Sequence, residues 1–136
     1  MSDERYLLTV PISVRWGDMD AFNHVNNATF ATYVEEARLR WFATFDRGWK
    51  DEDIGPVVAA QSINYRLPIE WPADLVVEQL LERGGNSSVS VVFRILSQET
   101  PPRVYADGST VLVWTDRRTG RSTPLPEAVR KAIGID

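Results

Sequence analysis

Twelve residues, "WGDMDAFNHVNN" from Trp16 to Asn27, hold two aspartates, the chain's only histidine and three asparagines. A carboxylate such as Asp20 can attack a carbonyl or take a proton from water. The free backbone N–H groups that open a helix, with the helix dipole behind them, can hold an oxyanion. The two parts meet here if this stretch leads into a helix. Asx residues also form turns and cap helices, and Asp18, Asp20, Asn26 and Asn27 are each open to that reading. His24 is open to a structural reading as well.

Other chemistries lack parts. A Ser-His-Asp triad would have to use the single histidine, and the chain contains no G-x-S-x-G elbow. It has no cysteine, which removes disulfides, a thiol nucleophile and a thiolate zinc site. One histidine supplies too few nitrogen ligands for zinc. G-x-G-x-x-G and the P-loop are both missing. The residues alone reach as far as aspartate-dependent acyl chemistry.

The elements around the stretch decide whether it is positioned. Tyr6, Leu8, Val10, Ile12, Val14 and Trp16 recur at every second residue, which predicts a half-buried strand over 6–16. Pro11 cannot donate to a ladder, so that strand belongs at or near an edge. After Asn27 the period becomes helical, through Phe30, Tyr33, Val34, Ala37, Trp41 and Phe45, with Glu36 and Arg40 four apart. The spacing predicts a helix over 28–45, capped by Asn26 or Asn27 and ended by "RGWKDEDIGP".

Strands follow over 57–65, 75–82, 89–95 and 104–115, and a short helix over 127–133 sits behind Pro126. The breakers "RLPIEWPAD", "RGGNSS" and "SQETPPR" read as short turns, which favour antiparallel pairing. The fold class is therefore α+β: about five antiparallel strands curved around one long helix. Open sheet edges call for a homodimer or homotetramer.

Composition agrees. The chain of 136 residues, 43% hydrophobic and 10% aromatic, suits a single domain over 1–136. A net charge of −4 lacks the basic footprint of a nucleic-acid binder. Apolar runs of about 18 residues are missing, so no membrane span is expected. "MSDERYLL" is charged where a signal peptide would be apolar, and a cytoplasmic location is the default expectation.

"VRWGDMDAFNHVNNATFATYVEEAR" resembles the D-x-D-x-x-G-H-V-N-N-x-x-Y-x-x-x-x-E-x-A-R signature of the 4-hydroxybenzoyl-CoA thioesterase-like family, which has the hotdog fold. "INYRLPIEWPADLVVE" is similar to that family's tyrosine-to-proline segment, and "RGGNSSVSVVFRI" to its serine-containing turn and following strand. The likeness runs from about Tyr6 to about Thr115.

The resemblance implies hydrolysis of a fatty-acyl or aromatic acyl-CoA in a cleft between two protomers. Asp20 takes the family's catalytic position, as base or nucleophile. The backbone N–H of Asn27 or its neighbour polarises the carbonyl. His24 and Asn26 match the rest of H-x-N-N, and would order the loop or touch the acyl group. Trp16, Phe30, Ser87, Ser88 and Arg83 join them as substrate-binding residues. Arg83 and the run from Arg117 to Arg121 are the candidates for CoA phosphates. No metal or prosthetic group is required.

The acyl pocket is expected from Phe30, Tyr33 and residues 57–63. Asn23 replaces the family's usual glycine, and Phe30 its usual tyrosine. A hotdog dehydratase and a non-catalytic acyl-CoA-binding module are the rival readings, since fold does not fix function.

Overall fold

The computed structural model describes residues 5–45 and 48–135. Residues 1–4, Asp46 and Arg47, which opens the segment expected to end the helix, lie outside them. The elements are β1 (Arg5–Ser13), a 3₁₀ turn (Trp16–Asp18), α1 (Asn27–Phe42), β2 (Ile54–Tyr65), β3 (Asp74–Gly84), β4 (Ser88–Ser97), β5 (Val104–Asp116) and α2 (Glu127–Ile133). The five strands form one antiparallel sheet in the order β1-β3-β4-β5-β2. This is the expected α+β hotdog class, with Pro11 on an edge strand.

Several boundaries and one connection differ from the sequence expectation. β1 ends at Ser13, so Trp16 opens the 3₁₀ turn and is 71% exposed. α1 stops at Phe42, three residues before Phe45. Residues 66–73 are not a hairpin turn. β2 pairs with β5 at one edge, whereas β3 lies between β1 and β4, so the connection crosses the end of the sheet. Three strand spacings amount to about 14 Å, well within reach of eight residues at about 3.3 Å each.

α1 is held by its cap and by one face. Asn26 is the N-cap, and its side chain accepts the Ala28 N–H at 2.9 Å. Phe30, Tyr33, Val34 and Ala37 pack against Val10, Leu75, Val77, Phe93 and Ile95 of the sheet. Each large apolar side chain so buried contributes about 1.5–3 kcal/mol. Buried Gln79 on β3 donates to Ala37 O at 3.0 Å and Leu8 O at 3.3 Å, fixing the helix along the sheet.

A second cluster closes the far end, where Val129 and Ile133 of α2 meet Trp41, Phe42, Leu112 and Trp114. Among the described residues no helix is long and apolar enough to cross a membrane.

Candidate active site

The loop from Arg15 to Asn26 is shaped by its two aspartates. By sequence Asp18 is open to a turn-forming role. It instead turns inward, with 4% of its surface exposed. Its Oδ2 accepts the Arg15 N–H at 2.9 Å and the Tyr33 hydroxyl at 2.7 Å. Its Oδ1 accepts the Arg15 guanidinium at 3.0 Å.

Burial pushes this carboxyl up, but the Arg15 N–H, the Tyr33 hydroxyl and the Arg15 charge outweigh it and hold the pKa below the ordinary value. Burial, and then the bond to Asp18 and its charge, push the Tyr33 hydroxyl well above its usual range.

Asp20 makes the Asx turn. Its Oδ1 accepts the Phe22 N–H at 2.8 Å and, more loosely, the His24 N–H at 3.4 Å. The Asp20 N–H bonds His24 O at 2.8 Å, and Asn23 N–H bonds Asp20 O at 3.1 Å. Closing so tight a loop puts Asn23 at φ 63°, a left-handed conformation that Asn tolerates better than most side chains. That is how the chain does without the glycine.

The loop is tied at both ends. Asn26 N–H bonds Asp18 O at 2.9 Å, and Val25 N–H bonds Ile69 O of the crossing segment at 2.8 Å. α1 therefore begins beside Asp20. Its first N–H groups are not equivalent: Ala28 N–H is taken by the Asn26 side chain and Thr29 N–H by Asn26 O. Among the described residues the Asn27 N–H has no partner.

A cleft of about 490 Å³ opens over this helix start. Asp20, His24, Asn26, Asn27 and Phe30 line it, together with Tyr65, Arg66 and Leu67 from the end of β2 and the crossing. Phe30 meets Tyr65 edge to face at 5.0 Å, and the Tyr65 hydroxyl donates to Asn27 O at 3.2 Å. So a hydroxyl does reach the first turn of α1, from β2 rather than from position 30. The arrangement sets a carboxylate and an unpartnered helix-start N–H on the wall of one cleft, the equipment for attack on a carbonyl.

A model of the thioesterase-like superfamily matches residues 14–133. The chain belongs to that superfamily. Its relatives agree: the long-chain acyl-CoA thioesterase FadM of Escherichia coli K12 is 30% identical over 126 residues, covering 90% of this chain and 93% of FadM. Among solved structures, the PA2801 protein of Pseudomonas aeruginosa is similar at a TM-score of 0.86 and 40% identity, over 95% of this chain and 99% of that one. A Xanthomonas campestris protein is 48% identical over 81% of this chain and 93% of its own, at a TM-score of 0.74. As a member of this superfamily the chain is a thioester hydrolase.

Within this thioesterase the structure gathers Asp20, His24, Asn26, Asn27 and Phe30 at one cleft, and brings Trp16 beside Asp20 in a second one. Arg83, Ser87 and Ser88 are not brought to it. Their turn lies beside Val113 of β5, whereas the cleft lies past Ala106, about 25 Å along the strands of the same protomer. Tyr33 lines neither cleft, because its hydroxyl is turned to Asp18, and residues 57–63 line neither.

Tyr65, Arg66 and Leu67 were missed as cleft residues. Their segment was visible as family-like in "INYRLPIEWPADLVVE", but strand alternation says nothing about which end of β2 meets the helix.

Proposed function

We propose that this thioesterase hydrolyses acyl-CoA thioesters carrying an uncharged fatty-acyl or aromatic acyl group, with Asp20 as base or nucleophile and the Asn27 N–H as oxyanion donor. The observation that carries the reading is the pairing of an Asp20 held by its own loop with the unpartnered N–H that opens α1. As base, Asp20 takes a proton from a water whose oxygen joins the acyl carbon as the C–S bond breaks. As nucleophile, its own oxygen joins the acyl carbon as the C–S bond breaks, and water then hydrolyses the mixed anhydride and restores the carboxylate. By either route a proton goes to the departing thiolate. A donor aimed at the developing oxyanion contributes about 3–4 kcal/mol to the transition state. FadM's acyl-CoA activity supports the choice of thiol carrier. The chemistry calls for no cofactor.

The working unit in this reading is a homodimer or homotetramer, with the site between protomers. β2 is a twelve-residue edge strand on which Val57, Val58 and Tyr65 are each nearly half exposed, at 48%, 47% and 48%. Two-fold antiparallel pairing of β2 with its copy would set the partner's strand start beside Tyr65. The partner's 83–88 turn and its Arg117–Arg121 run, distant within one protomer, would then approach the cleft and supply cations for the CoA phosphates.

A panel of acyl-CoAs followed by free-thiol release tests the function. Hydrolysis with one thiol per acyl group is expected. Loss of water without thiol release would make the protein a dehydratase, and binding without turnover a carrier module.

A further inference from the structure

Asp20 faces two clefts. Besides the one at the helix start, a second of about 280 Å³ is lined by Trp16, Met19, Asp20, Asn23, Glu70 and Trp71. Trp16 and Trp71 stand edge to face at 5.1 Å with an interplanar angle of 79°, making an L-shaped indole surface. They are 71% and 44% exposed, so neither is there to fill the core. Two large rings left in water beside a catalytic carboxylate mark a surface that is covered by something else.

A thioester carbon reacting at Asp20 sends out two arms, the acyl chain and the thiol carrier, in different directions. Two clefts meet at Asp20, one for each. Charge decides between them. The carrier arm of CoA ends in phosphates, and the second cleft offers Glu70 with no cation in its lining. The helix-start cleft offers His24, asparagines and Arg66, whose guanidinium is already paired with Asp107 at 3.1 Å. It lacks the carboxylate of Glu70, and its polar groups suit the amides of the carrier.

We propose that the acyl group lies on the Trp16–Trp71 indole pair in the second cleft, and that the thiol arm leaves through the helix-start cleft. The assignment rests on Asp20 as the reacting carboxylate. At about 30 Å³ for each water-sized group, the second cleft holds about nine such groups, a medium-length chain or an arylalkyl group. Glu70 makes it hostile to an acyl group ending in a carboxylate.

The test is kcat/KM for acetyl-, hexanoyl-, decanoyl- and benzoyl-CoA, with inhibition by free CoA, on the wild type and on Trp71→Ala and Trp16→Ala. Each buried methylene is worth about fourfold. The wild type should gain with chain length, and both variants should lose at least tenfold in the decanoyl-to-acetyl ratio. Inhibition by free CoA should move less than twofold. A uniform loss across the series with weakened CoA inhibition would put the carrier on the indoles and overturn the assignment, as would unchanged selectivity.

Trp71→Phe separates fold from contact: it keeps an aromatic face and should retain most of the ratio. If the wild type releases no thiol from any acyl-CoA, the proposed function fails by itself. Calorimetric binding of non-hydrolysable decanoyl- and acetyl-CoA thioethers to the wild type and Trp71→Ala then still tests the acyl placement. An equal effect of Trp71→Ala on both ligands refutes it.

Discussion

The Tyr33 hydroxyl donates to Asp18 Oδ2 at 2.7 Å, joining the first turn after β1 to the second turn of α1 across fifteen residues of sequence. This buried bond sets the height of the Asp20 loop against the helix start, because Asp18 O in turn accepts the Asn26 N–H that precedes α1. The Asp20 loop and the N–H groups that open α1 are thereby fixed to one another.

Tyr33→Phe removes a buried hydrogen bond to a charged acceptor. Such bonds are worth about 1.5–3 kcal/mol, and urea unfolding should show a stability loss of that size with an unchanged slope. Turnover should fall by a smaller factor than in Asp20 variants, because the chemistry itself is untouched. A loss below about 0.5 kcal/mol would mean that the loop is held elsewhere.

Asp18 also sets a pH dependence. Its folded pKa lies below the unfolded value, so its contribution to stability is complete above about pH 4 and is lost as pH falls through the folded pKa. Wild-type stability should therefore drop more steeply than that of Asp18→Asn between about pH 4 and pH 2, while at pH 7 the variant is the weaker by about 0.5–2 kcal/mol. Denaturant melts at four or five pH values measure this. Parallel curves would contradict it.

Asn23, at φ 63°, is a local test of the loop. Asn23→Gly should be within about 0.5 kcal/mol of the wild type, since Gly enters this region freely. Asn23→Val should cost about 1–2 kcal/mol, the penalty of a branched side chain in a left-handed position. Because Asn23 N–H bonds Asp20 O, turnover in Asn23→Val should fall as well. Equal stability of the two variants would show that the loop relaxes away from this conformation.

Much of this was legible in the chain. Strand β1 could be read because Leu8, Val10 and Ile12 are buried or half-buried between exposed Thr9, Pro11 and Ser13, a period of two. Phe30, Tyr33, Val34 and Ala37 disclosed the inward face of α1 for the same reason. β2 could be read as a strand over 57–65, but its place at the edge resisted, since it pairs with β5 across the intervening β3 and β4, which no local pattern encodes. The roles of the two aspartates resisted too. Both sit at positions where an Asx turn is locally good, and what holds Asp18 inside is a hydroxyl fifteen residues on, in α1, which local sequence does not show. The same holds for Tyr65, whose bond to Asn27 O spans 38 residues.

The open β2 edge yields a further expectation. Light scattering should find a dimer or tetramer at low micromolar concentration, and Val57→Lys with Val58→Lys should shift it toward monomer and lower activity together. A wild-type monomer with full activity would overturn the shared site.

The most direct measurement is thioester turnover by Asp20→Asn. The amide keeps the Oδ1 acceptor that bonds Phe22 N–H, so the Asx turn survives and the melting temperature should hold within about 2 °C. Turnover should fall by about a hundredfold or more, the scale of a lost acid, base or nucleophile. Near-normal turnover with an intact fold would contradict the assignment of Asp20 and return "WGDMDAFNHVNN" to the role of a helix-capping turn.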